Sequence, residues 1–253
     1  KISFTIITVT LNSKKDLLKT ISSIQTQTYR KFTHIIKDGL SKDKTNEIDF
    51  SQFKNIKFIE GKDKGVYDAM NQAINYADNE FIIYLNSGDI FYSKETLKML
   101  ADNINANPDY YAYIGGTIQI DKTTKKIKRL IGISNLYKFL PFSQLPHPSF
   151  VIRRSILIKL KTPFDSNLKI ASDYKQQLLL RRKNLWKVLY LKQILSIMPL
   201  GGISNLNKIS ILDGYRETFD FSFRLYKFWA LYIILLKILL NLYSRFSVYR
   251  INK

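Results

Sequence analysis

Apolar residues fall into two alternating patterns along the chain. Residues 4–9 are a block of β-branched and aromatic side chains, which reads as a buried strand. Ser13 then precedes Asp16 in a capping-box-like spacing, and Leu17, Leu18, Ile21 and Ile24 recur at helical intervals. Residues 32–37 form a second strand that ends at Asp38-Gly39, and residues 56–59 a third. Val66, Ala69, Met70, Ala73, Ile74 and Ala77 line one helical face, and residues 81–85 make a fourth strand. This β-α-β-β-α-β order predicts a mixed, mostly parallel sheet flanked by helices.

Further on, Ser93 can cap a helix carrying Leu97, Leu100 and Ile104. Residues 111–120 and 126–131 read as strands joined by a polar turn. Pro141, Pro146 and Pro148 limit regular structure in residues 136–148. Ser172 can cap a helix over 173–182, residues 185–191 read as a strand, and Gly201-Gly202 as a turn. From Arg216 onward the chain is strongly apolar and aromatic, with scattered bases.

Composition narrows the picture only in part. Of 253 residues, 45% are hydrophobic, enough for a packed core. The 40 Lys and Arg against 20 Asp and Glu give a net charge of +20, which favours an anionic partner: nucleic acid, acidic lipid or a phosphorylated small molecule. Cysteine is absent, which excludes disulfides and thiolate metal sites. Residues 1–12 read as a strand rather than a leader, and no run reaches the ~18 uninterrupted apolar residues of a clean spanning helix.

Several side chains are candidates for chemistry, each beside a plainer role. Asp38 follows a strand, where a carboxylate can bind a base or sugar; before glycine it is more simply a turn residue. Asp63 and Asp68 flank a helix start, where acids are favoured anyway, yet they fall near Asp38. Asp89 closes the small polar loop Asn86-Ser87-Gly88-Asp89 at a strand end, where open α/β sheets bind ligands. Of the two histidines, His34 lies in a strand pattern and reads as packed, whereas His147 sits between prolines in a loop. Asp173 opens a helix and can serve as a general base or simply complement the helix dipole. No G-x-G-x-x-G follows the first strand, which disfavours a dinucleotide oxidoreductase.

In order and spacing, IITVTLN, KDGLSKDKT, DKGVYDAMNQAI, LNSGD, HPSFVIRR, FDSNLKIASDY and GGISN resemble a family 2 glycosyltransferase with the GT-A fold over residues 3–205. The resemblance implies a nucleotide-sugar donor, most often UDP-linked, bound by Thr8, Asp38, Asp63, Gly65, Asp68, Asn71, Asn86 and Ser87. It implies a divalent cation, Mn2+ or Mg2+, at Asp89, with His147 as a further candidate. Asp173 becomes the base of an inverting displacement, with Ser172, Gly202 and Ser204 on a donor or acceptor loop. The motif carries a single acid, because Asn86 and Gly88 stand where further aspartates are common. The implied enzyme is a hexosyl- or N-acetylhexosaminyltransferase of bacterial surface polysaccharide.

The expected organisation is a catalytic domain over 1–215, with halves 1–105 and 106–215, and a membrane-associating helical tail over 216–253. The tail has seven Lys and Arg against two acids; Lys227, Lys237, Asn241 and Arg245 share one helical side, opposite Leu, Ile, Phe and Trp229. The expected partners are the donor, a glycan or polyprenyl-diphosphate-linked acceptor, an anionic membrane surface at the inner, cytoplasmic face and, as an open option, a second copy of the chain. Packing of the tail on protein is the alternative. A non-catalytic nucleotide-sugar binder and a basic nucleic-acid-binding protein are the competing functions; the bases are scattered and no nucleic-acid motif is present.

Overall fold

The structure, a computed structural model, describes residues 1–133, 135–201 and 208–251. Strand β1 (Phe4–Thr10) is buried along its whole length and pairs in parallel with β2 (Phe32–Asp38) and β4 (Phe81–Tyr84). The outer strand β3 (Ile56–Glu60) is parallel to β2. Beyond β4 the sheet becomes mixed. β8 (Phe150–Arg153) runs antiparallel to both β4 and β6 (Ala112–Ile120). β9 (Val188–Pro199) lies parallel to β6, and the short β5 (Ile90–Phe91) pairs with it antiparallel. β7 (Ile127–Ile131) forms a hairpin with β6, so the sheet order is β3-β2-β1-β4-β8-β6-β9-β5 with β7 beside β6.

Both faces of this sheet are covered, which is why β1 reads as a continuous apolar run. Ile7 joins a core with Met70 and Ala73 of α2 (Val66–Ile74), while its neighbour Ile6 joins one with Leu97 and Leu100 of α3 (Thr96–Ala106). α1 (Lys14–Gln25) packs Leu17 and Ile21 against Ile36. The shorter helices α4 (Asn135–Phe139) and α5 (Arg154–Leu157) flank the antiparallel half. α6 (Ser172–Arg182) is covered by a helical hairpin of α7 (Lys208–Tyr226) and α8 (Trp229–Ile251).

Several expectations are corrected. Ser13 makes no side-chain cap; Asp16 instead pairs with Lys19 at 2.8 Å and Lys122 at 2.6 Å. β8 and β5 carry no strand pattern in the sequence; β8 joins β4 to β6, and β5 closes the far edge beside β9. α6 starts after Ala171, and Ser172 turns inward to accept the Asp165 N–H at 2.6 Å. The boundary expected at 215/216 falls inside α7.

α8 packs on the protein, the alternative held open for the tail. Its polar side faces the protein. Lys237 donates to Thr218 Oγ1 at 2.7 Å, and Asn241 accepts from Arg129 at 3.1 Å and donates to the Tyr215 hydroxyl at 2.8 Å. Part of its apolar surface is buried through Ile233, Leu236 and Leu240, but Leu231 (63% exposed), Leu239 (62%) and Phe246 (68%) face outward. The stretch Trp229–Phe246, with a mean hydropathy of 1.4, is long and apolar enough to cross a membrane by length and composition. Its polar contacts with Arg129, Tyr215 and Thr218 hold it along the domain surface instead.

Candidate active site

The ends of β1, β2 and β4 place the first group of candidates together. Thr10 is in register with Asp38, and a Cβ on Gly39 would come within 2.7 Å of Asp63 Oδ2, so any side chain there would displace the Asp63 carboxylate. Asp63 is 3.6 Å from the buried Lys37 ammonium, which also donates to the Asp38 carbonyl at 2.9 Å. Asp38 is itself fully buried, and its carboxylate accepts from the Ser41 N–H at 2.8 Å and the Ser41 hydroxyl at 2.5 Å. Gly65, at φ +128°, turns the chain into α2.

Besides Asp38, several expected donor-site or acceptor-loop residues have structural partners. Thr8 is fully buried; its hydroxyl donates to Leu85 O at 2.7 Å and so accepts from His34 Nε2 at 2.9 Å. Asp68 accepts from the Lys64 N–H at 2.9 Å and Gln72 at 3.0 Å. Asn71 pairs with the backbone of Phe164 through both ends of its amide, at 2.7 and 3.0 Å. Ser172 is spent on Asp165. Ser87 contacts Val9 O at 3.3 Å. Gly202 and Ser204 lie outside the described residues.

The Asn86–Asp89 loop is braced by α1. Thr20 Oγ1 accepts the Gly88 N–H at 2.9 Å and donates to Asp89 O at 2.8 Å. Gly88 adopts φ +99°, which a side chain would oppose. Burial pushes the Asp89 carboxyl up to about 7, against a hydrogen bond from the Asn86 backbone. The Asn86 side-chain oxygen is buried without a partner. A buried carboxyl short of compensation suits a divalent cation, yet the described residues include no cluster of three or more acidic or histidine ligands. Asp89 therefore fits an ion completed by donor phosphates, the common arrangement for Mg2+.

The second group gathers around α6 and the proline-flanked loop at His147. Asp173 stands in the first turn of α6 with its Oδ1 buried and unpaired. The loop before it is pinned from two sides: the Tyr67 hydroxyl donates to Ile170 O at 2.6 Å, and Glu217 of α7 accepts the N–H groups of Lys169, Ile170 and Ala171 at 2.8, 3.0 and 2.9 Å. Glu217 thus pins the loop leading into α6 from another helix, a contact that local sequence does not announce. His147 stacks on Tyr84 at 5.1 Å and meets Phe164 edge-on at 5.6 Å. Both its ring nitrogens are buried without partners; burial holds its pKa below the ordinary value, and Asp173 pulls the other way. Asp173 and His147 share a cavity of ≈ 330 Å³ with Arg129, Lys237, Asn241 and Arg245. Burial lowers Lys237 to about 8, with Asp173 and Glu217 countering. The sequence groups Lys237 and Arg245 on one helical side without saying what that side meets, and it does not single out Arg129 or Glu217.

The sequence model of glycosyl transferase family 2 matches residues 5–189. The chain belongs to that family. As a glycosyltransferase it is similar to an uncharacterized glycosyltransferase of Mycobacterium tuberculosis, 23% identical over 220 residues, covering 83% of this chain and 79% of the relative. It is also similar to a PGL/p-HBAD biosynthesis glycosyltransferase of Mycobacterium bovis, 27% identical over 175 residues (68% of this chain, 66% of the relative). Among solved structures, S. aureus TarS 1-349 in complex with UDP superposes with a TM-score of 0.65 at 20% identity, over 86% of this chain. This glycosyltransferase spans 64% of the length of that chain. A mannosyltransferase from Pyrobaculum calidifontis, in complex with GDP-Man and Mn2+, superposes with a TM-score of 0.64 at 14% identity, over 92% of this chain and 72% of its own. These likenesses show the GT-A fold.

Proposed function

We propose that this enzyme moves a sugar, with inversion, from a UDP-linked donor to a hydroxyl of a glycan or lipid-linked acceptor in bacterial surface-polysaccharide synthesis. It would work peripherally at the inner face of the cell membrane. The observation that carries this reading is the Asp173 carboxylate, with one oxygen buried and free, held by Glu217 and Tyr67 at the wall of a cavity. Such a group can take a proton from an acceptor hydroxyl. That oxygen then attacks the sugar C1 from the face opposite the nucleotide; the bond to the diphosphate breaks and its electron pair leaves with UDP. Asp38 and Asp63, side by side at the strand ends, are the assigned nucleoside end, and Asn86 and Ser87 lie toward the diphosphate. A divalent cation held by Asp89 and the donor phosphates would offset the negative charge growing on the leaving group. The UDP-GlcNAc complex of TarS, 19% identical, supports the donor class, and the Mn2+ complex of the mannosyltransferase supports the cation.

Release of UDP or GDP from a panel of nucleotide sugars, measured across a Mn2+ titration, tests the reading. Turnover with one UDP-sugar supports it. Tight donor binding with no release in the presence of any acceptor would leave the non-catalytic binder standing.

A further inference from the structure

The cavity under α8 holds more unpaired polar groups than proton transfer uses. Besides Asp173 Oδ1 and the two nitrogens of His147, Arg129 Nε is buried without a partner. The other Arg129 nitrogens reach only neutral acceptors, Asn241 Oδ1 at 3.1 Å and Gln119 Oε1 at 3.5 Å. Among the described residues no ion pair holds Arg129, Lys237 or Arg245. Arg129 and Arg245 are close enough for their charges to oppose each other. Asp173 and Glu217 are the acids acting on Lys237, and Glu217 already serves three backbone N–H groups. Among the described residues the lining holds three cations, the inward Arg129 and Lys237 and the exposed Arg245, against one acid, Asp173, an excess of positive charge that favours a bound anion.

The solvent-exposed part of the cavity lining has the opposite character. Ile211, Ile238 and Leu242 line the cavity and are also exposed, at 41%, 39% and 48%. They continue into the outward Leu235 and Leu239 of α8. A cationic interior that opens onto an apolar surface matches a molecule with an anionic head and a hydrocarbon chain.

We propose that this cavity is the acceptor subsite for the phosphate end of a lipid-linked sugar, with Arg129, Lys237 and Arg245 on the phosphate and the outer face of α8 along the chain. The proposal rests on the transferase reading and narrows its acceptor. Lys237, Asn241 and Arg245 stand four residues apart, so one helical face supplies most of the head-group contacts. At ≈ 330 Å³ the cavity lies near the small end of ligand sites, roughly 300–1,000 Å³, which suits a single sugar on its phosphate better than a long glycan. The sugar hydroxyl would then meet Asp173 in the same enclosure. An enzyme built this way acts soon after a phosphoglycosyl transfer has placed the first sugar on its lipid phosphate.

The test uses the full chain saturated with UDP, so that the donor's phosphate site is filled. Binding of a short prenyl diphosphate is followed by calorimetry, with the matching prenyl alcohol, inorganic pyrophosphate and phosphatidylglycerol vesicles as competitors. Arg245→Gln should weaken binding by about tenfold, and Arg129→Gln with Arg245→Gln by about a hundredfold, the scale of lost charge-assisted hydrogen bonds. The alcohol should compete poorly, and pyrophosphate and the vesicles less well than the prenyl diphosphate. Arg245 is exposed, so its single variant stays interpretable if Arg129→Gln lowers stability. Unchanged affinity in R245Q and the double variant overturns the site. Equal competition by pyrophosphate, or by phosphatidylglycerol, overturns the lipid-linked acceptor. Absence of nucleotide release from every donor counts instead against the transferase reading, because diphosphate binding needs no turnover.

Discussion

Both oxygens of Glu217 are directed at the loop that carries Asp173, and this division of labour yields two predictions. Asp173→Asn keeps the size of the side chain but removes the proton acceptor; transfer should fall by about 10²–10⁴-fold while UDP binding measured by calorimetry stays near wild type. Glu217→Ala leaves three N–H groups without their acceptor, so it should lower kcat and cost roughly 2–3 kcal/mol in urea unfolding, as expected for hydrogen bonds to a charged group. His34 gives a third. Buried, it donates from Nε2 to Thr8, and desolvation lowers its pKa from 6.5 to about 3. Between those values the unfolded chain binds a proton that the native protein refuses. Stability should therefore decline as pH falls below 6.5, by at most about 1.4 kcal/mol per pH unit from this group. Chemical denaturation at two pH values, with a His34→Gln variant in which the slope flattens, checks this. Packing of His34 was legible from its place in a strand pattern. The commitment of Thr8 and Asn71 to structural partners was not, because Leu85 and Phe164 are distant in sequence; that of Ser172 to Asp165, seven residues earlier, depends on how the loop between them folds back.

At the scale of elements, β1, α1, β2, β3, α2 and β4 were legible because local period and local burial agree there. β8 was not: four residues between a proline loop and a short helix carry no period, and its place is set by β4 and β6 on either side. α8 fails differently. The helical wheel correctly separated Lys237, Asn241 and Arg245 from the apolar side, but a wheel shows asymmetry and not which side meets protein. Here Lys237 and Asn241 dock on the domain beside Ile233, Leu236 and Leu240, while Leu231, Leu235, Leu239 and Leu242 face out. Removing 216–253 would thus strip Glu217 and Lys237 from the site rather than only detach an anchor. A cleaner test substitutes the outer face: Leu231→Ser with Leu239→Ser should abolish flotation with vesicles while shifting the melting temperature little, since both side chains are exposed.

Over the whole molecule, the charge of +20 was legible as a preference for anions, but its distribution was not. Most bases stay in solvent, while Lys37, Arg129 and Lys237 turn inward, toward Asp63 and toward the cavity. The outward remainder should make binding to anionic vesicles stronger than to neutral ones and progressively weaker as salt is raised, read by co-sedimentation. Loss of all vesicle binding in the leucine variant at low salt would show that charge alone does not hold the protein there. The Glu217 clamp bears on how such an enzyme can be recombined. A hybrid that takes its helical hairpin from one parent and residues 165–172 from another inherits a carboxylate and three donors that were fitted separately. Specificity cannot then be exchanged by grafting the hairpin alone; the loop must travel with it.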